Sequence, residues 1–253
     1  MSEDVRTQDA DAQEMTFTDH LEELRVRLTR SLLAALVGFL CCYGFSEYLF
    51  GLLMQPLVQV LPSGSTLIFT SLPEGFFTYI KVAFLAGLFL VSPYVFYQIW
   101  GFIAPGLYAE EKKYMLPLAI LSAFFFIGGA LFGYFVVFPF GFQFFIGFAT
   151  DVIQPMPTLR EYFAFSTKLL FAFGLIFELP LFIFFLARMG LVTAEKLRAV
   201  RKYFVFTAFI VAAILTPPDV VSQVLMAVPL IFLYELGILV ARIFGKDAKN
   251  KES

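Results

Sequence analysis

Six runs of apolar residues, each bounded by charged or proline-containing segments, dominate this chain: 29–50, 75–101, 115–138, 162–187, 203–216 and 222–241. A helix needs about 20 apolar residues to cross a hydrocarbon layer about 30 Å thick. Lipid offers no water to unpaired backbone groups, so each crossing run has to satisfy its own hydrogen bonds as a helix. The chain is therefore read as an all-α integral membrane protein with six transmembrane helices. A membrane β-barrel would show short strands of alternating polarity instead. Only 15% of the residues are charged, against about a quarter in soluble domains.

The basic residues set the orientation. Residues 1–30 carry Arg6, Arg25, Arg27 and Arg30. Lys112 and Lys113 join the second run to the third. Arg188, Lys196, Arg198, Arg201 and Lys202 join the fourth to the fifth, and Arg242, Lys246, Lys249 and Lys251 follow the sixth. These are 15 of the 18 Lys and Arg, leaving only Lys81, Arg160 and Lys168 elsewhere. Both termini are thus expected in the cytoplasm. Residues 1–18 read as a disordered acidic tail with no cleavable signal peptide, 19–243 as the membrane domain and 244–253 as a second tail.

The outward connections, 51–72 and 139–160, read as caps along the membrane surface, and the third is the turn "TPPD". The fifth run is short: Tyr203–Thr216, 14 residues, reaches about 21 Å as a helix. The sixth is interrupted by Pro229 and Glu235. Adjacent Cys41 and Cys42 read as packing residues.

Parts for chemistry are scarce. His20 is the only histidine and lies outside the apolar runs. There is no Gly-x-Ser-x-Gly, no His-Glu-x-x-His and no phosphate-cradling glycine loop. Neither an enzyme, a metal centre nor a cofactor is expected, and nothing suggests a nucleic-acid partner. Gly129 and Gly133 in "GGALFG" have the spacing of a close helix-packing surface.

Acidic residues are the informative exceptions. In "DHLEELRVRL", Asp19 and Glu22 have capping-box spacing, and Glu23 can pair with Arg27 at i+4. That segment can equally be a solvated lead-in to the first helix. Glu74 ends "SLPE", with Ser71 as cap, and Asp219 is placed to cap the sixth helix. Glu235 can snorkel toward Arg242. Glu178 is different. Ten residues of "ELPLFIFFLAR" separate it from Arg188, about 15 Å of helix, so it sits near mid-membrane, where a charge is expensive and usually functional. Pro180 lacks an amide hydrogen and would leave the Ile176 carbonyl free to meet it.

Taken in order, "HLEELRVRL", "YQIWGFIAPGLYAEEKK", "FGLIFELPL" and "LTPPDVVSQVLMAVPLIFLYELGI" resemble the TatC family, the multispanning receptor of the twin-arginine protein translocase, from about residue 18 to 243. The resemblance implies a cup-shaped six-helix fold with short fifth and sixth helices. It implies a receptor without catalysis, in the bacterial cytoplasmic (inner) membrane, for folded proteins exported at the expense of the proton gradient. Its partners would be twin-arginine signal peptides, single-span subunits of the TatA/TatB type and membrane lipid, in a homo- or hetero-oligomer. By motif position, signal-peptide binding falls to Glu23, Arg25, Phe102 and Glu111, with Glu22 and Glu110 competing for those acidic roles. Glu178 and Gln223 are matched to intramembrane partner contacts. The alternative is a proton- or cation-coupled carrier using Glu178.

Overall fold

The structure, a computed structural model, describes residues 17–62, 65–103, 115–150 and 155–245. The described residues are helical apart from turns and one isolated bridge. In chain order the helices are α1 (Phe17–Tyr43), α2 (Ser46–Val58), α3 (Glu74–Ile103), α4 (Met115–Phe132), a π-helical turn (Gly133–Val137), α5 (Phe138–Ile146), α6 (Leu159–Phe177), α7 (Leu179–Arg188), α8 (Ala194–Leu215) and α9 (Val220–Phe244). Five continuous segments are long and apolar enough to cross a membrane: α1, α3, α4 through α5, α6 through α7, and α9.

The remaining expected span is the apolar half of α8. Its first half, "AEKLRAVRK", is charged, so the crossing part is confined to the short stretch anticipated from Lys202 onward. Thr193 caps α8 by accepting from the Lys196 N–H.

The spans form an open row. α1 packs on α3, α3 on α4, α4 on α6, α7 on α9, and α9 on α8, while no substantial contact closes α1 onto α8 or α9. Burial follows this order: half of the apolar window of α6–α7 is buried, against 11% in α1. Lipid gives no hydrophobic drive between helices, so close approach of small residues carries the packing. At the α1–α3 crossing, a Cβ on Gly38 would lie 2.6 Å from the Gly87 carbonyl oxygen, and one on Gly87 would lie 2.5 Å from the Phe39 nitrogen. The Gly129 and Gly133 pair faces Phe173 of α6, and Gly174 in turn faces Phe126 of α4. The packing role read from their spacing is what they have.

Several boundaries differ from the sequence expectation. The first apolar run is split: α1 ends at Tyr43 and α2 begins at Ser46, because Gly44 is a poor helix residue with no packing to hold it. The third span does not stop at Phe138. The π-helical turn carries it on to Ile146, and Pro139 is tolerated because it sits in the first turn of α5. Asp19 does not cap α1. The chain is already helical at Phe17, so Asp19 lies inside the helix and not at a capping position. Glu235 pairs with Arg201 of α8, Nε–Oε1 2.7 Å and Nη2–Oε2 2.7 Å, rather than reaching Arg242. That fork is largely exposed and contributes at most about 1 kcal/mol. It nevertheless gives α9 an internal polar partner, so its uninterrupted apolar part is shorter than the helix.

The N-terminal ends of α3 and α6 are stapled together. Ile68 and Thr158 form a parallel bridge, with the Leu159 N–H donating to the Ile68 carbonyl at 2.9 Å and the Ile68 N–H to the Pro157 carbonyl at 3.2 Å. The Glu74 carboxylate completes the joint. Oε2 accepts from the Thr70 N–H (2.8 Å), the Thr70 hydroxyl (3.1 Å) and the Ser71 N–H (3.2 Å), while Oε1 accepts from the Arg160 N–H at 2.8 Å. The Ser71 bond is the return half of the expected capping box; the Arg160 bond ties it to a segment 86 residues away. Glu74→Ala strands these donors and is expected to cost about 2 kcal/mol. Amide hydrogen exchange at Thr70, Ser71 and Arg160 should accelerate together. Unchanged exchange at Arg160 would refute the staple.

Candidate functional site

At the basic end, the first turns of α1 lie against the last turns of α3. Glu23 and Arg27 share one face of α1, four residues apart, and the Arg27 guanidinium grips Glu23 Oε1 through Nε (2.8 Å) and Nη2 (2.6 Å). Its third nitrogen, Nη1, reaches Oε1 of Gln98, a side chain only 4% exposed in α3. Room for the guanidinium comes from Gly101, where a Cβ would fall 2.1 Å from Arg27 Nη1. One turn before Glu23, His20 stacks on Phe102 with ring centroids 4.3 Å apart.

Two of the expected recognition residues, Glu23 and Phe102, are thereby brought to one junction. The other carboxylate oxygen of Glu23, Oε2, is buried with no hydrogen-bond partner. An acceptor left so costs about 1–3 kcal/mol. Arg25 is exposed; two residues on, it points about 200° around the helix from Glu23. Its carbonyl accepts from the Thr29 hydroxyl at 2.8 Å. Glu22 is exposed too. Glu110 and Glu111 lie outside the described residues.

The second acidic position is a break in the fourth span. α6 ends at Phe177 and α7 starts at Leu179, so Glu178 is the joint between them. Pro180 enters in the first turn of α7, where its missing N–H is not needed. The Glu178 N–H donates to the Leu175 carbonyl at 3.1 Å. Ser122 of α4 lies beside the Glu178 carboxyl, yet Oε1 is shielded and unpartnered. Ser122 itself is fully buried and accepts from Trp100 Nε1–H at 2.9 Å. Trp100 packs edge-on against Phe185 of α7, so α3, α4 and α7 meet around this polar chain.

Gln223 sits near the start of α9, half-buried, and its Nε2 donates to the Phe209 carbonyl of α8 at 3.0 Å. Asp219 caps the same helix, accepting from the Ser222 N–H at 2.7 Å and from the Ser222 hydroxyl. Gln223 therefore joins α8 to α9, whereas Glu178 belongs to the α3–α4–α7 junction. The structure gives them no shared contact. Sequence reasoning missed Gln98, Gly101, Trp100 and Ser122. Only Gln98, a polar residue inside "VFYQIWGF", carried a visible signal.

Comparison with known proteins gives these junctions a family. Residues 19–229 match the family model for the Sec-independent protein translocase protein TatC. The Sec-independent protein translocase protein TatC of Desulforapulum autotrophicum is 54% identical over 236 residues, covering 93% of this chain and 87% of the relative. That of Escherichia coli strain K12 is 41% identical over 233 residues, covering 92% and 90%. A crystal structure of the twin-arginine translocase receptor TatC superposes with a TM-score of 0.79 at 40% identity, covering 88% of this chain and 97% of the other. None of these relatives supports a carrier role for Glu178. An all-helical, multispanning membrane fold that superposes on that receptor, together with such identity along nearly its whole length, places this chain in the TatC family of Sec-independent protein translocase proteins.

Proposed function

We propose that the protein is the receptor and assembly platform of a twin-arginine translocase in the bacterial cytoplasmic membrane, with both termini in the cytoplasm. It binds the paired arginines of signal peptides on folded cargo, and export draws on the proton gradient. The observation that carries this reading is Glu23: a carboxylate fixed at the basic end beside an aromatic ring, with one oxygen buried and unpartnered. Guanidinium groups are the natural donors for such an oxygen. Glu23, Arg25 and Phe102 form the described part of the peptide surface, and Glu111 contributes from the following loop, with Glu22 and Glu110 as the neighbouring acids. No step in this role breaks a covalent bond.

Single-span subunits of the TatA/TatB type dock in the membrane, where Glu178 and Gln223 offer polar contacts. A paired-arginine peptide carrying a photocrosslinker tests the first part of the proposal. Glu23→Gln is expected to cut labelling near α1 by about tenfold, equivalent to the loss of one charged hydrogen bond. Equal labelling of the variant would remove Glu23 from the binding surface.

A further inference from the structure

The Glu23 carboxylate is not a free anion. Arg27 contacts Oε1 twice, and its own position is fixed from the far side by Gln98 and by the space left at Gly101. The pair is close to neutral as a unit, with all of its residual acceptor capacity on Oε2. We propose that Arg27 is a positioning residue for signal-peptide recognition: it saturates one oxygen of Glu23 so that the incoming peptide is received through Oε2 alone, beside a resident guanidinium. This rests on the signal-peptide reading of Glu23.

The chemistry follows from what a cation meets there. Net charge supplies little attraction, because Arg27 has already neutralised Glu23. An ammonium is a compact, strongly hydrated point charge, which loses its water on entry and faces the like charge of Arg27. A guanidinium is planar and weakly hydrated, and it can lie alongside another guanidinium while both donate to one carboxylate. Arg27 thus converts a general anionic site into one that separates arginine from lysine. Because Oε2 is shut off from solvent, binding has to displace whatever side chain lies over it, and the new hydrogen bond relieves an acceptor that is unsatisfied at rest.

The test uses the full-length chain in lipid nanodiscs and two fluorescent peptides, one with paired arginines and one with paired lysines at the same positions. Dissociation constants are measured at low and high salt for the wild type, Arg27→Gln, Arg27→Lys, Gly101→Ala and Glu23→Gln. The preference for arginine over lysine is expected to fall about tenfold in Arg27→Gln, with a steeper salt dependence as Glu23 becomes an uncompensated charge. Gly101→Ala alters no polar group but places a Cβ where Arg27 Nη1 lies, so the guanidinium must move and the same preference should fall. Arg27→Lys restores the charge without the fork, and should recover the wild-type salt dependence while leaving the preference low.

Should Arg27→Gln fail to fold, Gly101→Ala and Arg27→Lys carry the measurement. A preference unchanged in these variants overturns the proposal. So does tighter arginine-peptide binding at unchanged preference, which would make Arg27 a competitor rather than a guide. Failure of the receptor reading looks different: Glu23→Gln would then bind the paired-arginine peptide as tightly as the wild type.

Discussion

Valine at position 129 is expected to destabilise the protein by about 3 kcal/mol or more, whereas alanine at the adjacent position 128 should be neutral or stabilising by up to about 1 kcal/mol. The contrast comes from what each new carbon meets. A Cβ on Gly129 would lie 2.3 Å from the Phe173 carbonyl oxygen and 2.9 Å from Phe177 Cβ, so α4 and α6 would have to separate. A Cβ on Gly128 meets nothing within 4 Å, leaving only the helix-propensity gain of alanine over glycine. Thermal unfolding in detergent, followed by the loss of helical circular dichroism, reads both signs. Similar melting temperatures for the two variants would show that α4 and α6 are not held at the distance described.

The second large effect concerns Glu178. Alanine there is expected to leave affinity for a paired-arginine peptide within about twofold, while transport of a folded cargo falls by about tenfold or more. The peptide junction of α1 and α3 does not include Glu178, and the Trp100–Ser122 hydrogen bond survives its removal. What disappears is the shielded, unpartnered Oε1 at a helix break, an acceptor that a polar group on a docking helix can satisfy. Inverted vesicles report transport, and crosslinking in the same vesicles reports peptide binding. A collapse of peptide labelling would move Glu178 to the receptor surface and out of the assembly contacts.

Features governed by near neighbours were legible in the sequence. The Glu23–Arg27 pair and the Asp219 cap depend on three- and four-residue spacings that a helix enforces. The Gly129 and Gly133 spacing foretold a close approach, though not the partner, Phe173. Residues whose partners lie far along the chain were not legible. Arg27 meets Gln98 across 71 residues, Arg201 meets Glu235 across 34, and Glu74 reaches Arg160 across 86. Only the topology decides those meetings. The break at Glu178 was not legible for another reason: hydropathy reports whether a segment is apolar, and a broken helix such as α6–α7 is as apolar as an unbroken one. The Asp19 reading failed locally, because the chain is already helical two residues before it.

The π-helical turn at Gly133–Val137 holds one residue more than an α-helix of the same rise. Five residues wound as a π turn sweep about the same angle as four wound as an α-helix, so Phe138 at 0% and Phe142 at 5% exposure face the way they would beyond an unbroken helix. Removing any one residue between 133 and 137 would let the helix run straight with the far third of this span facing as before. The same deletion in the regular part of α4 would turn everything beyond it by about 100°. The turn therefore tolerates a change of length by one residue that the flanking helices would not.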